Sequence, residues 1–267
     1  YWRDWSSDVC SSDLVAEGAL GKPVVLGPRD EAQGWGGVQV LGTGVPSTLA
    51  WLEVSGMTAL DRGGWQSSGG MTFLRSPVTM TECTLRKARC EDSINVFGTS
   101  LHAERCVFDG GPSDLIDGDF ITGEVIGCTF RNSGEDAIDV SGSQLQVRDC
   151  VFEAIGDKCV SVGEDSRVAV QGCKVTSASI GIAAKDRSEV TVSSFAMASV
   201  EHYAFAVYVK KPEFGPSRMA VNEFQWTGAG RAAMLAQTGC ELRVQGALVP
   251  TEEVDVEALY RAKVLGK

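Results

Sequence analysis

Histidine is almost missing from this chain. Only His102 and His202 occur, and neither has a metal-ligating neighbour at a useful spacing, which removes histidine-based zinc chemistry. No CxxC pair occurs among the nine cysteines, so a zinc knuckle is excluded as well. No apolar run of about 18 residues is present, so no membrane-spanning helix is expected. Positive charge is in short supply: 24 Lys and Arg stand against 35 Asp and Glu, a formal charge of −11. A surface of that sign does not suit the phosphates of nucleic acid. No secretory leader is visible.

What is abundant is repetition. From Val78 to Val249 one short phrase recurs: apolar, any, apolar, any, any, Cys, any, apolar. Cys83, Cys106, Cys128, Cys150 and Cys173 lie 23, 22, 22 and 23 residues apart, and Phe195, Phe224 and Ala247 take their place later. Leu85, Phe108, Phe130 and Phe152 fill the last position of the first four copies, and Val78, Leu101, Gly123 and Leu145 the first. A fixed period in the twenties means stacked units. Inside each copy the alternation has period two, the mark of a strand, and no helix fits between strands. Stacked coils set equivalent side chains one strand spacing apart and build ladders within a solenoid. The predicted fold is all-β, a single-stranded parallel β-helix of about 22 residues per coil. The cysteine ladder then reads as small packing residues rather than a disulfide framework.

The flanks differ. Tyr1–Leu14, YWRDWSSDVCSSDL, stands outside the pattern and resembles translated sequencing adapter, so residues 1–14 are set aside as a non-native leader. The natural N-terminus, with any signal peptide or earlier coils, is then expected to be missing. The solenoid is assigned to residues 15–250. Residues 251–267 form a C-terminal cap, where Asp255 starts a short helix expected to cover the last coil.

A second strand follows each Phe-type position, and its middle residue faces outward. The outward column is read as Asn95, Asp117, Asp139, Ser161, Ala183 and Tyr208, with Asp119 two residues after Asp117. Asp92, Asp114, Asp136 and Lys158 precede it; Gly163, Lys185 and Lys210 follow it, with Glu164, Asp186 and Lys211 alongside.

Several stretches resemble a known family: Trp35–Val40, Pro112–Phe120, Gly134–Ser143, Gly181–Asp186 and Lys210–Pro216. They are similar to the right-handed parallel β-helix repeat proteins of bacteria, the pectate-lyase-like superfold. More narrowly they resemble β-helix proteins found alone or joined to spore-coat-kinase-like or lamin-tail modules. The resemblance spans roughly Gly21–Tyr260 and implies a right-handed coil. It also implies a secreted or cell-surface protein near polysaccharide chemistry, with further modules in the full-length chain. It carries no assigned reaction.

The outward acids and lysines suggest chemistry of their own. Asp114, Asp117 and Asp119 form an oxygen-rich group suited to Ca²⁺. Asp136, Glu164, Tyr208 and Lys211 are the candidate contacts to an acidic polysaccharide. Lys185 and Lys210 are candidate bases, because a lysine near other cations loses its proton more readily, and Asp139 is the candidate catalytic carboxylate. With calcium neutralising a uronate, β-elimination would follow, a scheme some β-helix pectate lyases resemble. Asp117 with Asp139, or with Asp119, also offers the paired carboxylates of a hydrolase. The histidine motif of polygalacturonases and the Asp-Pro-His motif of alginate epimerases are both absent. The rival reading is a non-catalytic structural or adhesion rod whose acids are a solvated face.

Overall fold

The structure is a computed structural model that describes residues 14–62 and 64–266. The adapter reading of Tyr1–Asp13 lies outside the described residues. Leu14, grouped with that leader, joins the solenoid: its amide donates to Ser47 Oγ and its carbonyl accepts from the Thr48 amide.

Three parallel strand ladders make the rod. The first stacks Ser47–Ala50, Val78–Thr81, Ser100–Glu104, Thr122–Ile126, Gln144–Arg148, Arg167–Gln171, Glu189–Ser193, Arg218–Val221 and Glu241–Val244. The second includes Leu52–Ser55, Thr84–Arg86, Val107–Gly111 and Thr129–Ser133; the third includes Gly69–Leu74, Asp92–Phe97, Ile116–Asp119 and Ile138–Ser141. In Val151–Gly163 the second and third run on as one bent strand. Crossovers between parallel neighbours are expected in the right-handed sense that twisted strands favour.

The corners explain the sequence rhythm. Between the first and second ladders the chain turns on single residues with left-handed backbone, Glu82, Arg105 and Asp149, at φ 56°, 51° and 53°. Each precedes a ladder cysteine, whose small side chain turns inward. The thiols of Cys83, Cys128, Cys150 and Cys173 reach a carbonyl of the coil before, as Cys83 Sγ does to Leu49 O at 3.4 Å and Cys150 Sγ to Val125 O at 3.6 Å. All eight described cysteines are free and buried. At the corner before the first ladder, serines do the equivalent work. Ser143 Oγ accepts from the Ile121 amide, Ser166 Oγ from Ser143, and Ser217 Oγ from Ser188. These backbone donors fall between ladders and would otherwise be buried unpaired. Inside, Phe108, Phe130 and Phe152 stack with ring centres 5.0 and 5.2 Å apart.

Two additions frame the outer face of the third ladder. Leu60–Arg62 and Trp65–Ser67 pair as an antiparallel hairpin. At the other end, Asp255 caps the helix Val256–Arg261 by accepting from the Ala258 amide. This helix lies along the rod: Val256, Leu259 and Tyr260 pack on Ile180, Ala183, Ala206 and Leu235. The strand Glu241–Val244 is itself covered by the antiparallel Ala247–Leu248. Among the described residues no helix is long and apolar enough to cross a membrane.

Gly123 tests the ladder. It holds a position that is Val, Leu or Met in every other copy from Val78 onward, yet its φ is 146° and a Cβ there would lie 1.8 Å from the Leu101 carbonyl oxygen. Gly123→Val, which restores the repeat, is expected to lower unfolding stability by about 1–3 kcal/mol in a urea titration. Phe130→Ala should cost about 3–5 kcal/mol. A Val variant as stable as the parent would contradict this backbone.

Candidate functional site

The outward row of the third ladder reads Thr72, Asn95, Asp117, Asp139, Ser161, Ala183, Ala206 and Leu235 in register. It is polar up to Ser161 and apolar beyond. The helix packs on the apolar half, while in the polar half Asn95, Asp117 and Asp139 are half-buried and Thr72 and Ser161 are buried. The acidic stretch between helix and hairpin is the candidate groove.

The register corrects one expected contact. Ala206, not Tyr208, follows Ala183; Tyr208 pairs with Lys185 in the next row. Tyr208 is fully buried and its hydroxyl meets that of Tyr260 at 2.8 Å, so it cannot touch a ligand. Asp136 was also expected on the exposed face and is buried. Its work is internal. Asp114 Oδ1 accepts from the Asp136 amide at 2.8 Å, and Asp136 Oδ1 from the Lys158 amide at 2.9 Å, so each acid staples the coil that follows.

The expected calcium set does not converge as written. Among the described residues the one trio of carboxylates whose oxygens lie within 4.8 Å of each other is Asp114, Asp136 and Asp139. Asp117 and Asp119 stand outside it. Two ammonium groups already approach the trio. Lys158 Nζ lies 2.7 Å from Asp157 and 3.4 Å from Asp136, and Lys185 Nζ lies 3.7 Å from Asp139 Oδ1.

These contacts sort the acids. Burial foremost, then the charges of Asp136 and Asp139, raises Asp114 well above the usual carboxylate range. Burial with Asp92 and Asp119 pushes Asp117 up to about 8. Asn95, which donates to Asp117 Oδ2, only partly offsets this. Asp119 is raised for the same reason, burial first and Asp139 next. Asp139 goes the other way: burial opposes its charge, but Lys185, then the neighbouring Ser161 hydroxyl, then Lys158 and Lys210 outweigh burial and hold it low.

The two candidate bases separate likewise. Burial works against the Lys185 charge, yet Asp139 overrides it and raises the pKa, so Lys185 keeps its proton and is unsuited to be a base. Lys210 is lowered, by desolvation first and by Lys185 and Lys158 after it. Its ammonium lies 4.6 Å from the centre of the Tyr260 ring. Lys211 pairs with Glu164, whose carboxylate also accepts from Ser141, so both sit at the groove's rim engaged with each other. The rim turn is fixed by Asp186, whose Oδ1 accepts from the amides of Lys210 and Lys211 at 2.7 and 2.6 Å.

Tyr260 is the site residue the sequence reading missed. Its signal was present: Val256, Leu259 and Tyr260 form one apolar stripe, and Ala183, Ala206 and Leu235 offer a matching bare patch. A second groove, of about 700 Å³, crosses the first ladder past Thr79, Glu124, Gln146 and Arg167. There His102 and Arg148 both pair with Glu124, at 3.1 and 2.6 Å, so its charges answer each other and the distinctive chemistry stays on the third ladder.

A family profile described as a right-handed β-helix region matches residues 75–244, well over half the chain. No curated protein and no solved structure matches.

The raised acids fix a pH dependence. Asp117 holds its proton to about 8 when folded and Asp92 to about 6, whereas both release it near the ordinary carboxylate value when unfolded. The folded state therefore binds more protons across that window, and stability falls as pH rises. Thermal midpoints should drop between pH ~5 and pH ~8, and Asp117→Asn should flatten the slope. A midpoint that climbs over this range would contradict the burial of these acids.

Proposed function

We propose that this chain, which belongs to the right-handed β-helix family, binds an acidic polysaccharide in the groove over its third ladder. Lys210 carries the reading. It makes no ion pair among the described residues, its ammonium lies over the Tyr260 ring, and the acid whose charge acts on it is Asp139. Sugar hydroxyls donate to such carboxylates, and a uronate carboxylate supplies the partner that Lys210 lacks.

Calcium belongs to the same proposal. Asp114, Asp136 and Asp139 supply the oxygens that Ca²⁺ prefers. Lys158 and Lys185 compete for two of them, so affinity in the weak range of about 10⁻⁴–10⁻³ M is expected. Turnover by β-elimination would rest on Lys210 as base, since Lys185 is held protonated. A secreted or cell-surface setting, with further modules, suits such a ligand. A non-catalytic surface rod is the second reading. It is favoured by the engagement of Lys158 and Lys185 with buried acids, which is structural work.

Calorimetry with polygalacturonate and alginate, with and without Ca²⁺, tests the proposal. Lys210→Met should weaken binding about 10- to 100-fold, the worth of a charge-assisted hydrogen bond. Lys87→Ala, on an exposed turn elsewhere, should leave it unchanged. No heat of binding in either calcium condition would leave the rod reading.

A further inference from the structure

We propose that the inward cysteine column is a binding site for a soft monovalent d10 cation, copper(I) above all, held two-coordinate between the sulfurs of successive coils. Cys83, Cys106, Cys128, Cys150 and Cys173 are free and buried. They stand in register without a break. The residue after each cysteine donates its amide to the cysteine carbonyl one coil back: Val107 to Cys83 at 2.8 Å, and Thr129, Val151 and Lys174 to Cys106, Cys128 and Cys150 at 2.9 Å. Phe195 takes the same inward place in the next coil and is equally buried, so packing alone does not demand sulfur here.

The spacing selects the ion. Equivalent atoms on neighbouring strands stand ~4.8 Å apart. A metal–thiolate bond is about 2.3 Å long, so two of them in line span about 4.6 Å. A straight sulfur–metal–sulfur bridge therefore fits between adjacent rungs with almost no movement. A tetrahedral ion does not fit, because it needs several ligands around one point. Among the described residues no three cysteine sulfurs come within 4.8 Å of one another. Soft thiolates in pairs are the ligands copper(I) prefers.

The surroundings favour an ion over a bare thiolate. Cys128 Sγ lies 3.5 Å from both the Ala103 and Ile126 carbonyl oxygens, and Cys173 Sγ lies 3.3 and 3.7 Å from those of Gln171 and Val147. Loss of a thiol proton alone would leave a buried negative charge against carbonyl dipoles, which is costly. A cation in place of the proton removes that cost. The amides of Cys106 and Cys150 donate to Cys128 and Cys173 Sγ at 3.3 and 3.4 Å, which supports charge on those sulfurs. Cys173 also lines a depression of about 210 Å³ with Ser194, Phe195 and Glu223, the entrance at that end of the column.

Each ion displaces one thiol proton to solvent. Five sulfurs in a row enclose four gaps, one fewer than the sulfurs. Four monovalent ions, four thiolates and one remaining thiol leave the core neutral, with each inner sulfur bridging two ions.

The test uses the full chain, reduced and under argon. Silver(I) serves as a redox-silent probe with copper(I) in parallel, and a glutathione wash strips loosely held metal. Native mass spectrometry counts the ions, each adding the metal less one proton, and four are expected. Cys128→Ala removes a sulfur shared by two gaps and should lower the count to two. Cys83→Ala, at the end of the column, should lower it to three, and Cys159→Ala, buried outside the column, should leave four. A loss of one ion for each cysteine removed, wherever it stands, would mean independent thiols and overturn the column. Because a cysteine variant can loosen the core, X-ray absorption on the silver-loaded native chain gives a second reading: two sulfur neighbours and no third. Oxygen or nitrogen ligands, three or more sulfurs, or metal retained only by chain whose circular dichroism shows it unfolded would each overturn the proposal, as would no retained metal.

Discussion

Each coil must hydrogen-bond to the next in register, and that single requirement organises the molecule. Whatever side chain one coil carries stands one strand spacing from its counterpart. For apolar residues the rule is favourable, and it gives the Phe108–Phe130–Phe152 stack and the inward cysteines. For charged residues it is unfavourable, because a carboxylate is set above a carboxylate. The rod is acidic overall, so where it permits such stacking is informative.

It permits stacking over very few rungs. The row Asp92, Asp114, Asp136 ends at Lys158; the row Asn95, Asp117, Asp139 is bounded by Asn95 and Ser161. Each row is relieved differently. The first hands its acids backbone amides and then the Lys158 ammonium. The second gives Asp139 a lysine from two coils further on and gives Asp117 only an amide side chain. A purely structural face would replace Asp117 with Asn or Ser at little loss, as its own neighbours in the row show.

Much of this was legible in the residues. The period, the inward ladders and the role of the cysteines follow from spacing alone, and the structure matches them except in the last copy, where Ala247 is exposed and pairs antiparallel with Val244 instead of continuing the inward column. The site was legible only in part. Val207-Tyr208-Val209 mimics the apolar, polar, apolar phrase, but the third ladder slips between Ala178 and Ile180, and the true copy is Phe205-Ala206-Val207. That slip carried Tyr208 from the predicted surface into the interior. Burial of the acids was hidden for another reason. The segment that closes one end of the groove comes from residues 256–265, far along the chain, and period-based reading has no term for a helix laid along the outside. With Lys185 the neighbour was misjudged: other lysines were expected to lower its proton affinity, but Asp139 is the charge it meets first.

Charge balance at the floor sets proton against metal. Asp136 and Asp139 each have an ammonium within 3.7 Å, while Asp114 and Asp117 have none. Something positive has to compensate those two when the groove is closed by a ligand. A proton needs no rearrangement, and burial already favours it on both acids. A divalent cation would need Asp114 ionised and Lys185 displaced from Asp139, while its charge would lower the proton affinity of the neighbouring Asp117. A proton on Asp114 and a divalent cation would therefore exclude each other in one small space, and the two lysines tilt that balance toward the proton.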